Sequence, residues 1–143
     1  MTYLTSLTLL LLMLAPVSQD LPPAFHKLPE QVQAKATLIL TGTFVRGRGP
    51  CIFMADGSRR WPLESRFQIT KVYRGQVGGK TIYISSSVSP EIGISSAALQ
   101  NGMEYLVLLR PSEESMKAIK AGDYIPAWDA LDGEEVVAIV KLR

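Results

Sequence analysis

The 143-residue chain holds one cysteine, Cys51, and one histidine, His26. A thiol and an imidazole are the parts of a nucleophile–base pair, in which the imidazole takes the thiol proton and leaves a nucleophilic thiolate. Such a pair needs a third group to orient the base, and neither residue lies in a catalytic signature. The plainer reading is a half-buried thiol in a strand and an exposed imidazole in a proline-rich extension. That reading is adopted: no residue is assigned to catalysis, and the chain is not read as an enzyme.

Carboxylates gather in "DYIPAWDALDGEE", residues 123–135. A hard cation wants several such oxygens, but a calcium loop needs acids at alternate positions before its glycine, and this spacing lacks them. The segment reads as a solvated hairpin turn. No metal site and no cofactor is expected, and there is no glycine-rich phosphate loop. Trp128 and tyrosines 83, 105 and 124 read as packing or rim residues.

A third group remains. Arg46, Arg48, Arg59, Arg60 and Arg66 surround Trp61. The guanidinium fork suits phosphate, sulfate or carboxylate, and an indole ring can stack on a base or a sugar. These six residues are the candidate ligand-binding face. The competing reading is an ordinary solvated surface that keeps a hairpin soluble. "RGRG", residues 46–49, is too short to count as an RNA-binding tract.

The arginines belong to a wider asymmetry. From Arg46 to Arg74 seven basic residues stand against Asp56 and Glu64, a balance of +5, whereas from Pro111 to Glu135 the balance is −5, inside a net charge of only +2. Opposed blocks either face each other or mark two surfaces. At the N-terminus, "LTLLLLMLAPVSQ" carries an apolar run from Leu7 to Leu14 with one Thr in it. It is too short to span a bilayer and has the length of a secretory signal's apolar region. Residues 1–18 are therefore expected to be a signal peptide, with an uncleaved membrane anchor as the alternative. Export argues against nucleic acid as the physiological partner, and a lone cysteine leaves no internal disulfide, so stability must come from burial.

One domain of this length must position the arginines. Residues 19–36 read as a proline-rich extension, either a linker or an ordered segment on the domain, with a turn or two of helix after Pro29. "TLILTGTFVR", 37–46, is a β-rich run whose Gly42 signals a bulge or bend. Asp56-Gly57 suggests a two-residue hairpin turn with both residues at positive φ. In "SRFQITKVYRG", Phe67 and Ile69 share a face, and a bulge at Thr70–Lys71 is needed to return Val72 to it. Ile82 and Ile84 face inward in the next strand. "NGMEYLVLLRP" is apolar on both faces from Tyr105 to Leu109, as in a strand covered on both sides. Ser112 caps a short helix that ends at Gly122. The tail reads as a hairpin, "YIPAWDAL" meeting "EEVVAIVKLR" across Asp132-Gly133.

The succession "AKATLILTGTF", "FQITKVYRG", glycine turn, "KTIYIS" and "LQNGMEYLVLL" resembles the netrin-like module, whose best-known members are the tissue inhibitors of metalloproteinases, over about residues 30–110. The resemblance implies an all-β fold over residues 37–143: a five-stranded barrel of the oligonucleotide/oligosaccharide-binding type, with one or two short helices and the C-terminal hairpin. It does not carry the inhibitors' zinc-chelating N-terminal cysteine, since this chain's one cysteine is residue 51. The expected function is an exported, secreted or periplasmic, non-enzymatic binding module for a protein or an anionic glycan. The alternative is a protease inhibitor acting without the family's cysteine.

Overall fold

A computed structural model describes residues 20–49, 51–61, 63–122 and 130–142. The expected signal peptide, Tyr124 and Trp128 lie outside the described residues.

The first described elements are two short helices, α1 (Pro23–His26) and α2 (Glu30–Lys35), followed by a long strand β1 (Leu38–Arg48). Two dipeptide strands, β2 (Ile52–Phe53) and β3 (Arg59–Arg60), precede the second long strand β4 (Leu63–Arg74). Then come β5 (Thr81–Ile84), β6 (Ile92–Gly93), β7 (Glu104–Leu109), helix α3 (Glu113–Ala121) and β8 (Val136–Lys141). Six strands form one sheet in the order β5-β4-β1-β7-β8-β6, and β2 and β3 pair only with each other. All pairings in the large sheet are antiparallel except β6 with β8.

The expected closed five-stranded barrel is therefore corrected to an open, six-stranded mixed sheet. Its two sides meet at one parallel bridge, Ile84 to Leu131, where the Ser85 N–H donates to the Leu131 carbonyl (2.8 Å) and the Leu131 N–H to the Tyr83 carbonyl (2.9 Å). Past Leu131 the contact does not continue, for a local reason. Immediately after Leu131 the chain turns, with Glu135 and Val136 N–H both donating to the Asp132 carbonyl. A turn cannot continue a ladder. Most of the first arm of the expected C-terminal hairpin, residues 124–129, lies outside the described residues; of the described chain, β8 lies between β7 and β6, and Leu131 bridges to Ile84.

The pleat sends alternate residues to two apolar layers. Leu38, Leu40, Phe44, Phe67, Ile82, Ile84, Tyr105, Val107 and Leu109 fill one, with Ile69 and Val72 packed against it. Ile39, Leu106, Leu108 and Val137 face the other, which Leu21, Phe25, Val32 and Ala36 of the N-terminal segment cover. The proline-rich extension is thus an ordered lid on the outer face. It explains why "YLVLL" has no polar alternation: both faces of β7 are buried. Pro29 precedes α2 as its N-cap, and its carbonyl accepts from Val32 and Gln33 N–H, both at 3.0 Å.

The β1–β4 register confirms the bulge. Thr41 pairs with Lys71 and Gly42 with Ile69, so Thr70 is the extra residue, and its hydroxyl meets that of Thr41 at 2.8 Å. A second slip sets aside Tyr73, since Ile39 pairs with Arg74 and Leu40 with Val72. Gly42 is required beside the first bulge, because a Cβ there would lie 2.9 Å from the Gln68 carbonyl oxygen and 3.1 Å from the Phe67 Cβ. At α3 the Ser112 hydroxyl accepts from the Ser115 N–H (3.1 Å), and Gly122 closes the helix at φ 78°.

Candidate surface on the hairpin between the two long strands

The link from β1 to β4 carries the β2–β3 hairpin. Ile52 pairs with Arg60 and Phe53 with Arg59, and beyond them the Met54 N–H donates to the Ser58 carbonyl at 2.9 Å. The loop between is three residues, Ala55 to Gly57, not the expected two. The Gly57 N–H donates back to the Met54 carbonyl (3.0 Å) and only Gly57, at φ 85°, is left-handed. This is a type I turn followed by a glycine bulge. The extra residue frees Asp56 from positive φ and lets its carboxylate accept from the Ser58 hydroxyl (2.6 Å) and the Ser58 N–H (2.9 Å). Those two hydrogen bonds hold the Asp56 carboxyl below its ordinary value of 3.8, the hydroxyl contributing most.

The six candidate residues fall into three groups. Arg46 is built into the fold: its guanidinium donates to the Ser96 carbonyl and sits 5.0 Å from the Phe44 ring centre, while its backbone N–H donates to Asn101 Oδ1 at 2.6 Å. Arg66 stands 3.8 Å from Glu64. Arg48, Arg59, Arg60 and Trp61 are exposed. Among the described residues, none of those three arginines makes an ion pair. The register also divides them. Arg46 pairs with Ser65 and Arg48 with Leu63, on the face that carries Phe44 and Phe67, whereas Arg66 pairs with Val45 and points the other way. Arg59 and Arg60 point to opposite sides of the hairpin for the same reason. The structure gathers Arg48, Arg59, Arg60 and Trp61 around one projection instead of laying all six on one plane.

Sequence reasoning missed the apolar part of this projection. Phe53 (70% exposed), Leu63 (59%), Trp61 (51%) and Met54 (39%) are the exposed large hydrophobic residues among those described. All lie within eleven consecutive positions. The Arg59 guanidinium covers the Phe53 ring at 5.3 Å from its centre. The signal was in the sequence: "CIFM" is flanked by Gly-Pro and by a turn, and is too short to join a buried sheet.

Beneath the hairpin lies Glu64, which sequence reasoning also passed over. It is 7% exposed, pairs with Gly47 across the ladder, and its carboxylate rests on Gly49. Gly49 of "RGRG" is thus the seat of a buried carboxylate. Glu64 Oε1 has no hydrogen-bond partner among the described residues.

His26 sits elsewhere, its ring edge-on to Phe25 at 5.4 Å, in a hollow lined by Glu30, Gln33, Ala34 and Arg74 that contains no cysteine. In the acidic tail, Asp123 and Asp129 lie outside the described residues. Asp132 accepts from Glu134 and Glu135 N–H, and Glu135 accepts from Ser112 and Asp132 N–H. These oxygens are occupied in fixing the turn before β8. Among the described residues no cluster of three or more His, Cys, Asp or Glu has metal-binding geometry, and no helix is long and apolar enough to cross a membrane. No family model, no curated protein and no solved structure matches this chain.

Proposed function

We propose that the chain is an exported, non-enzymatic binding module that engages an anionic partner through the β2–β3 hairpin. The observation that carries this is the concentration of exposed aromatic and aliphatic side chains on one projection, among arginines that form no ion pair with any described residue. A solvated surface has no need of Phe53 or Leu63, whereas interface cores are enriched in Trp, Phe, Met and Arg and poor in Lys and Glu. Between Arg48 and Leu63 there is no Lys or Glu.

The strand order supports the oligonucleotide/oligosaccharide-binding type. β1 is flanked by β4 and β7, β7 by β8, and the chain before β8 touches β5 in parallel at Leu131. In barrels of that type the connection between the first two strands is a habitual binding loop. Here it is the hairpin. The netrin-like assignment rests on this order and on the sequence resemblance. Inhibition of metalloproteinases by chelation is not part of the proposal, since the inhibitors' terminal cysteine has no counterpart.

Retention on heparin tests the reading. The wild-type protein is expected to elute well above the salt needed to release a protein of net charge +2, and Arg59→Ala/Arg60→Ala to elute earlier with an unchanged melting temperature. Exposed charges are screened beyond roughly 8 Å at physiological ionic strength, so the binding should weaken steeply with salt. Co-elution of the two at low salt would reduce the arginines to a solubility device.

A further inference from the structure

The apolar half of the hairpin identifies the kind of partner. A sulfated or phosphorylated polymer offers charge and hydroxyls. It rewards Arg48, Arg59 and Arg60, but leaves Phe53, Met54 and Leu63 in water. A surface that rewards both sets must be anionic and, a few ångströms further in, apolar. The boundary of an anionic lipid bilayer has that profile: phosphate headgroups above acyl chains.

We propose that the β2–β3 hairpin docks the protein onto an anionic membrane surface, with Phe53, Met54, Trp61 and Leu63 entering the headgroup boundary and Arg48, Arg59 and Arg60 holding lipid phosphates. The proposal rests on the hairpin being the binding element. The geometry suits a surface anchor. Among the described residues β2 and β3 pair with no other strand, so the hairpin can enter an interface without dismantling the six-stranded sheet. The Arg59 guanidinium lies over the Phe53 ring, so positive charge and an exposed aromatic face are presented together on the hairpin. Indole rings favour that same depth. One charge opposes the arrangement. Asp56 at the turn stays ionised, but Ser58 donates two hydrogen bonds to its carboxylate, and the hairpin from Arg48 to Leu63 still carries three positive charges against one negative.

Co-sedimentation of the full chain with vesicles decides the matter. Phosphatidylglycerol vesicles should carry the protein down, pure phosphatidylcholine vesicles should carry much less, and Trp emission should shift to the blue on binding. Trp61→Phe should still sediment but lose that shift. Phe53→Ser/Leu63→Ser should bind phosphatidylglycerol on the order of tenfold or more weakly, while its melting temperature stays near wild type. Arg59→Ala/Arg60→Ala should weaken both kinds of binding. If phosphatidylglycerol vesicles bring down nothing while heparin retention persists, the membrane proposal falls and a polymer is the occupant. If the Phe53/Leu63 variant sediments like wild type, the attraction is charge alone and the proposal falls too. Loss of both vesicle and heparin binding in the wild type would remove the functional reading along with it.

Discussion

The Glu64 carboxylate lies against the α-carbon of Gly49, close enough that a methyl group added there would collide with Oε1 and Cδ. One residue carries a buried carboxyl group, and the other has no side chain. The hairpin leaves the sheet where they meet. A buried carboxylate is costly unless paired, and among the described residues its one ion pair, to Arg66, is 3.8 Å long.

Gly49→Ala is therefore expected to push the carboxylate from its seat and to destabilise the protein. In a Glu64→Ala background the same change should cost much less, with a coupling energy of about 0.5–3 kcal/mol, the range for residues in direct contact. Urea unfolding of the four proteins of the cycle measures it. Additive effects would mean that the two residues do not share a site.

Phe67 stands between two aromatic neighbours, with its ring centre 5.6 Å from that of Phe44 and 6.2 Å from that of Tyr105. Phe67→Ala should cost about 3–5 kcal/mol, because neighbours on three strands cannot all collapse into the space. Gln68→Ala, next in sequence but exposed, should cost less than about 0.5 kcal/mol. Equal shifts in thermal unfolding would contradict the register of β4.

At Gly42 the obstacle to a side chain is backbone. The Gln68 carbonyl oxygen cannot swing aside as the end of a glutamate can. Gly42→Ala should force β1 and β4 apart and cost about 1–3 kcal/mol, the usual penalty for overpacking. It should also raise hydrogen exchange at the flanking amides. Wild-type exchange in a variant with normal stability would count against the close approach.

Asp56 gives a pH signature. Its carboxyl is held below 3.8 in the folded chain, so the turn's contribution is complete above that pH and is lost as the pH falls through the lowered value. An NMR titration of the Asp56 carboxyl carbon should show a midpoint below 3.8, and Ser58→Ala should bring it back towards 3.8. A wild-type midpoint at or above 3.8 would mean that the two hydrogen bonds from Ser58 are absent in solution.

The sequence by itself determined what depends on near neighbours along the chain. Ser112 and Gly122 frame a helix because capping needs only the residues within a turn. The slip in "FQITKVYRG" announced the bulge at Thr70 because a period of two cannot place both Ile69 and Val72 inward without one. The unbroken "YLVLL" required cover on both sides. What the sequence left open depends on which distant residues meet. It could not say that Leu21 and Phe25 would supply that cover, that β8 would lie between β7 and β6, or that one bridge at Leu131 would stand in for barrel closure. Nor could it separate the arginines. Arg46 and Arg66 look equivalent to Arg59 in a charge count, yet the pleat turns Arg46 onto Phe44 and Ser96 and sets Arg66 beside Glu64. Only the pairing of β1 with β4 decides that, since burial and hydrogen bonding are properties of partners far apart in the chain.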